Sequence, residues 1–207
     1  MQGGGLASDN DRKTSREDRL GVFCLEGEWE PEDPHARQSV RPMLDLLEDQ
    51  KLIRFFHRDV ATYAELRHYL DRWTSGGLDE FSFGYLGFHG EPAALHLNDD
   101  ERPDSVISLE QLGTDLADGC KGRVIHFAAC SVVDVARSQL AEFRATTGAR
   151  AVSGYRRDIA WVESAALDLL YLSFVAGGKI RRIDVAVRKL LENNQALADH
   201  LGFMIEA

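Results

Sequence analysis

The sequence is short of cysteine, of positive charge and of long apolar runs. Its three cysteines, Cys24, Cys120 and Cys130, are odd in number and sparse, which predicts free thiols in a reducing, cytoplasmic compartment. The formal net charge of -10 argues against nucleic-acid binding, because phosphate recognition needs a basic surface. No run approaches the length of a membrane span and no signal-peptide pattern opens the chain, so neither a membrane nor secretion is predicted.

What the chain does contain is enough apolar sequence for one packed domain. Hydrophobic residues make up 44% of its 207 residues, which favours a globular core over disorder. Residues 1–18 are rich in glycine and then in charge, and are predicted to be a disordered leader or a cloning remnant. Residues 19–207 are predicted to form a single domain, since neither a linker nor a repeat divides them.

Short apolar runs alternate with segments of helical periodicity along this domain. The runs predict five strands, at residues 20–25, 52–57, 81–88, 124–129 and 149–154. Helices are predicted from residue 39, over 61–73, from the N-cap Ser108 to Gly119, and over 134–147, 162–176 and 184–197. Residues 93–97 are expected to form a small hairpin arm. This alternation predicts a three-layer α/β/α sandwich around a mostly parallel sheet.

Two of the predicted strands stop at reactive residues. His89 follows the third run and is followed by Gly90, and Cys130 follows the fourth run after two alanines. Parallel neighbouring strands release their carboxyl ends at one edge of a sheet, so we expect the thiol and the imidazole to meet there. A thiol beside an imidazole makes a nucleophile and its base.

These strand ends carry a family resemblance. Aromatic-His-Gly at His89 followed by small-small-Cys at Cys130 resembles the caspase-like (clan CD) cysteine peptidases, and is most similar to the small bacterial CHAT domains. The arm and helix at 95–97 and 106–112, the strand at 147–154 and the helices at 166–178 and 185–187 are similar to theirs. The caspase Gln-Ala-Cys-Arg-Gly signature is absent, so a preference for aspartate is not implied.

The resemblance implies a cysteine endopeptidase of a bacterial cytoplasm. Cys130 would attack the scissile carbonyl, and His89 would protonate the leaving amine and activate water. The backbone amides of Gly90 and Cys130 would bind the oxyanion. No metal or cofactor is implied. A protein or peptide is the expected substrate, and an upstream sensor or regulatory protein and a homodimer are candidate partners.

The pocket that would select the substrate is the least specific part of the prediction. In the family it is built from the loops that follow the first, fourth and fifth strands. Acidic residues after the first strand favour a substrate with Lys or Arg before the cut, whereas arginines after the fifth strand favour one with an acidic residue there. The sequence leaves both preferences open. The candidate lining residues are Glu26, Glu28, Ala128, Ser131, Tyr155, Arg156 and Asp158, with Trp161 as a candidate floor.

Other reactive side chains have simpler interpretations. Cys24, within a strand, is expected to be core, and Cys120 is expected to have no role in a site. His126 is a rival base, but its mid-strand position favours a buried and hydrogen-bonded ring. His57 ends the strand expected at the sheet edge and is interpreted as a surface residue. His96 belongs to the arm and is a candidate for the rim of the cleft.

Two other functions stay open. A caspase-like fold without turnover would act as a binding or regulatory module, and a thiol that resists alkylation would favour it. A flavodoxin-like small-molecule enzyme or receptor would use the same sheet edge. That second alternative predicts a phosphate-binding glycine loop after the first strand, and Gly27 among glutamates does not supply one.

Overall fold

The computed structural model describes residues 19–30, 33, 35, 38–98, 105–178 and 180–207. These residues form a single domain in which helices cover both faces of a six-stranded, mostly parallel sheet. This confirms the predicted α/β sandwich. The predicted leader at residues 1–18 lies outside the described residues.

The main sheet follows the order β2-β1-β3-β7-β8-β9. The first five of these strands are mutually parallel, and β9 runs antiparallel to β8 at one edge. The central strands are buried along their whole length, as parallel strands between two helix layers require. The strand bounds are β1 Leu20–Glu26, β2 Ile53–Asp59, β3 Phe83–Gly87, β7 Val124–Ala128, β8 Ala151–Tyr155 and β9 Phe203–Glu206.

In the described part of the chain, six helices form the two outer layers. Apolar side chains of α2, α3 and α4 pack in one cluster, and those of α1, α5 and α6 pack in another, on opposite faces of the sheet. None of the helices in the described ranges has the length and apolar character needed to cross a membrane. The helix bounds are α1 Arg41–Asp49, α2 Tyr63–Thr74, α3 Leu109–Asp115, α4 Arg137–Thr147, α5 Trp161–Gly177 and α6 Ile183–Leu201.

A small antiparallel sheet lies between β3 and α3. Its strands are β4 His89–Glu91, β5 Ala94–His96 and β6 Val106–Ser108. The predicted hairpin at 93–97 is therefore only part of a three-stranded arm, and His89 opens the first strand of that arm. The predicted N-cap at Ser108 is confirmed, since its hydroxyl accepts a hydrogen bond from the Gln111 amide.

Two features of the fold were not predicted. β9 was missed because its four residues follow α6 directly, without an alternating pattern long enough to separate a strand from a helix end. The prediction that His57 lies at the surface was wrong. β2 is indeed an edge strand, but the His57 side chain is only 6% exposed, because it turns toward β1 and bonds Glu26.

Candidate active site

The register of β3 and β7 brings the two predicted reactive residues to one edge of the sheet. Gly87, the last residue of β3, pairs with Ala128, the last residue of β7. His89 and Cys130 each follow two residues later. Matched exits of this kind place both side chains at the same level, beyond the carboxyl ends of neighbouring parallel strands.

His89 and Cys130 line one cleft of about 250 Å³. Both residues are half-buried, so each is shielded from bulk water while staying open to the cleft. Within the described ranges, no hydrogen bond joins the Cys130 Sγ to the His89 ring. Trp29, Glu30, Gln38, Val40, Tyr85, Phe88, Ala128, Ala129, Ile159, Trp161, Ser164 and Asp168 complete the lining.

The His89 ring is oriented by the loop after β1. Its Nε2 lies 2.8 Å from the carbonyl oxygen of Trp29. A carbonyl can only accept a hydrogen bond, so Nε2 carries a proton and its N–H donates a hydrogen bond to the Trp29 oxygen. In the neutral ring this leaves Nδ1 free to take a proton from a thiol. The Trp29 indole also meets the His89 ring edge to face, with centroids 5.3 Å apart.

Cys130 is held by a loop that comes much later in the chain. The amide of Ile159 donates a hydrogen bond of 3.4 Å to its Sγ. The next residue, Ser131, has a φ of 53°, in the left-handed region that non-glycine residues rarely adopt. The amide of Ser131 bonds the Arg157 carbonyl at 3.1 Å, and its hydroxyl bonds Asp158 at 2.8 Å. These contacts stabilise the sharp turn that follows the thiol.

Gly90 is a glycine because the Cys130 turn packs directly on it. A Cβ built on Gly90 would lie 2.6 Å from the Cys130 carbonyl oxygen and 2.5 Å from the Val132 Cγ2. The missing side chain therefore leaves room for this chain's own backbone. The predicted oxyanion role of the Gly90 and Cys130 amides stays a prediction.

Glu26 was predicted to line the substrate pocket, and the structure corrects this. Its carboxylate is 1% exposed and accepts hydrogen bonds from four donors, because it lies between β1, β2 and the start of α1. One donor is the indole Nε1 of Trp29, at 2.5 Å, so Glu26 fixes the residue whose carbonyl orients His89. The other donors are the Ser39 hydroxyl, the Val40 amide and His57 Nε2.

The same group is the place where a metal ion could be held in the described part of the chain. Ligand atoms of Glu26, His57 and Asp59 lie within 4.8 Å of one another. An ion there would have to displace His57 from the Glu26 carboxylate, since the two are 2.7 Å apart.

Most of the other predicted pocket residues surround the cleft without lining it. Ala128 lines the cleft, and its role in a substrate pocket stays a prediction. Ser131 and Asp158 bond each other, and Arg156 forms an exposed ion pair of 3.1 Å with Asp134. Glu28 is exposed outside the lining. Tyr155 is fully buried beneath it, because its hydroxyl bonds Asp168.

The base of the cleft is a buried carboxylate that the sequence analysis missed. Asp168 of α5 is 1% exposed and bonds the hydroxyls of Tyr85, at 2.6 Å, and Tyr155, at 2.5 Å. His126 Nε2 donates a third bond of 2.9 Å. Burial, and then the negative charge of Asp168, raise the pKa of both tyrosine hydroxyls well above their ordinary value.

The signal for Asp168 was in the sequence. It is an ionisable residue inside the apolar run Leu167-Asp168-Leu169-Leu170, and a charge at such a position is seldom buried without partners. The predicted interpretation of His126 as a buried, hydrogen-bonded ring agrees with its contacts to Asp168 and Ser153. Cys24 is core, as predicted, and Cys120 is buried too.

The sequence matches one family model over residues 19–206, described as a family of unknown function, DUF6642. The chain belongs to this family. No curated protein matches it at a significant level.

Solved structures similar to this DUF6642 chain include two insect caspases. The Drosophila initiator caspase Dronc is 11% identical with a TM-score of 0.55, over 93% of this chain and 80% of that one. Caspase-1 from Spodoptera frugiperda is 10% identical with a TM-score of 0.55, over 100% of this chain and 94% of that one. At these identities the likeness concerns the fold, which is caspase-like.

Proposed function

We propose that this chain is a cysteine endopeptidase that uses a Cys130–His89 dyad, and that it is related to the small CHAT-type peptidases. The observation that carries the proposal is that His89 and Cys130 leave adjacent parallel strands at matched positions and line the same cleft. A nucleophile, a base and a group that orients the base are the parts that thiol-mediated acyl transfer needs.

The proposed chemistry begins with transfer of the Cys130 proton to His89 Nδ1. Sγ attacks the peptide carbonyl and forms a C–S bond, and the C–N bond then breaks as His89 returns the proton to the amine. Water, deprotonated by the same nitrogen, attacks the thioester and releases the acid and the thiol. The net reaction consumes one water for each peptide bond. The Trp29 carbonyl stabilises the imidazolium through the proton on Nε2.

A second candidate is a caspase-like binding module without turnover. The observation that favours it is that Sγ takes its hydrogen bond from the Ile159 amide rather than from His89. Hydrogen bonds between catalytic groups are often long in unliganded enzymes, so this geometry is compatible with both candidates.

The deciding experiment is cleavage of a peptide library and of the chain itself by Cys130→Ala. We expect proteolysis to vanish in this variant and to fall by about 10²–10⁴-fold in His89→Asn, the range that general acid–base catalysis supplies. Cys120→Ala removes a buried thiol from the α2–α4 side of the sheet, and is the matched control that should keep its activity.

Circular dichroism shows whether each variant is folded. Proteolysis that survives unchanged in a folded Cys130→Ala chain would rule out the dyad. A wild-type chain that cleaves nothing in the library, while its thiol stays unreactive, would favour the binding module.

A further inference from the structure

The cleft beside Cys130 is a slot with a distinct mouth, wall and base. Trp161, Ser164 and Asp168 of α5 recur at helical spacing, so they form one stripe that runs into the slot. At the mouth, Trp161 stacks on Trp29 with ring centroids 5.5 Å apart. Ala128 and Ser164 line the wall, and their small side chains leave the slot unobstructed. Asp168 and the Tyr85 hydroxyl form the base.

The slot is lined by two carboxylates and by no lysine or arginine among the described residues. Glu30 contributes a carboxylate at the rim, where Gln38 bonds it at 2.6 Å, and Asp168 contributes the other at the base. No lysine or arginine lines the cleft among the residues that the structure describes. Arg156, the cation predicted for this pocket, is paired with Asp134 outside it. Among the described lining residues, an acidic side chain entering the slot would find no lysine or arginine to pair with.

The base can accept further hydrogen bonds. Asp168 Oδ1 receives bonds from His126 and Tyr155, and Oδ2 receives one from Tyr85. A carboxylate has about four lone-pair sites, so Oδ2 can accept one more donor. The Tyr85 oxygen, which donates its proton to Asp168, keeps its own lone pairs. A buried acceptor pair of this kind suits a donor group that carries positive charge.

We propose that the slot binds the side chain of lysine or arginine in a peptide. The methylene stem packs along the stacked Trp29 and Trp161 rings at the mouth, and the ammonium or guanidinium reaches Asp168. The proposed peptidase function implies that this lysine or arginine is the residue whose carbonyl is attacked. Binding of the side chain in the slot does not depend on that function.

The test measures binding to the Cys130→Ala chain, which cannot turn the peptide over. The probes are acetylated Ala-Ala-Ala-X methylamides in which X is lysine, arginine, norleucine or aspartate, followed by NMR titration. Norleucine has the length of lysine without the charge. We expect lysine and arginine to bind at least about tenfold more tightly than norleucine, and aspartate to bind least. Norleucine or aspartate binding as tightly as lysine overturns the proposal.

Two variants locate the charge. Asp168→Asn should remove most of the lysine advantage and leave norleucine binding unchanged, whereas Asp71→Asn, an exposed acid on α2 far from the slot, should change neither. An advantage that persists in a folded Asp168→Asn chain overturns the assignment of Asp168. If that variant does not fold, the comparison of lysine with norleucine in the presence of Asp168 still decides whether the slot selects a cation.

The outcome also separates this inference from the proposed function. A library cleaved by the wild-type chain without a preference for lysine or arginine contradicts the slot assignment and leaves the peptidase intact. Tight lysine binding by a chain that cleaves nothing contradicts the peptidase and leaves the slot intact.

Discussion

At the scale of single residues, the three cysteines of this chain differ sharply in environment. Cys24 is fully buried in β1, where burial and then the charges of Glu26 and Asp59 raise the pKa of its thiol well above its ordinary value. Burial also raises the pKa of Cys120 to about 12, partly opposed by Arg123. Only Cys130 is open to a cleft. A thiol with a raised pKa is protonated near neutral pH and reacts slowly.

We therefore expect iodoacetamide to modify one cysteine per folded chain near pH 7.5 and all three after unfolding, as read by mass spectrometry of the intact chain and of its peptides. The labelled residue should be Cys130. Cys130→Ser is the control and should take up no label while folded. Modification of Cys24 or Cys120 at the rate of Cys130 would contradict this account.

Residue by residue, the sequence predicted the positions of His89 and Cys130 at one sheet edge better than it predicted their surroundings. These positions could be predicted because strand ends are marked by a change from apolar to polar sequence. The roles of Glu26 and Asp168 could not, because each is set by partners distant in sequence, such as His57 and Tyr85. The Trp29 carbonyl carries no sequence signal at all, since every residue has one.

At the scale of elements, β9 completes the sheet. Its four residues pair antiparallel with β8, from Phe203 opposite Tyr155 to Glu206 opposite Val152. The Phe203 ring also packs against Tyr171, with centroids 5.2 Å apart. β9 thus covers an edge of β8 that would otherwise present unpaired backbone groups to another chain.

Replacing both Met204 and Ile205 by proline should break this pairing, because proline lacks the amide that a strand donates. We expect a loss of about 3 kcal/mol in the free energy of unfolding, together with self-association through the freed edge of β8. Denaturant titration and size-exclusion chromatography measure the two effects. The matched Met204→Ala, Ile205→Ala chain keeps its amides and should stay monodisperse. Equal behaviour of the two chains would show that β9 pairing is dispensable.

The order of strands and helices along the chain was largely predictable from the sequence, whereas the pairing of strands was predictable only in part. The alternation of strand and helix correctly predicted the three layers and the neighbouring positions of β3 and β7. The arm was predicted as a hairpin because β4 contributes just three residues, beginning at His89, which looked like the end of β3. Short strands are defined by their partners more than by their own pattern.

At the scale of the whole molecule, weakly acidic groups are concentrated in the interior. Burial and the Asp168 charge raise the pKa of Tyr85 and Tyr155, and burial raises that of Tyr171. The pKa values of the Cys24 and Cys120 thiols are raised as well. The folded chain therefore holds these groups neutral in a pH range where the unfolded chain would ionise them.

The sign of the pH dependence follows. A group whose folded pKa is raised contributes its full stabilisation below the unfolded pKa and loses it as the pH rises toward the folded value. We expect the stability from these groups to be constant near neutral pH and to fall above about pH 9–10, by up to about 1.4 kcal/mol per pH unit for each group. Denaturant midpoints measured across this range test the slope.

Tyr85→Phe removes one of the ionisable groups, so the free energy of unfolding should fall less steeply with pH above about pH 9–10 in this variant. This expectation holds whatever the substitution does to stability at neutral pH. Tyrosinate absorbance provides the independent reading, since the three buried tyrosines should ionise only as the chain unfolds. Ionisation of all five tyrosines near pH 10 in a folded chain would contradict the buried network.

The contacts of the turn after Cys130 bear on the order in which this region forms during synthesis. The contacts that hold this turn come from Arg157, Asp158 and Ile159, which lie beyond β8 in the chain. During synthesis, a nascent chain that has emerged only as far as α4 already carries the thiol but lacks the loop that orients it. Cys130 is thus made early and positioned late, and a ribosome-bound fragment that ends at α4 has the thiol without the contacts that hold its turn.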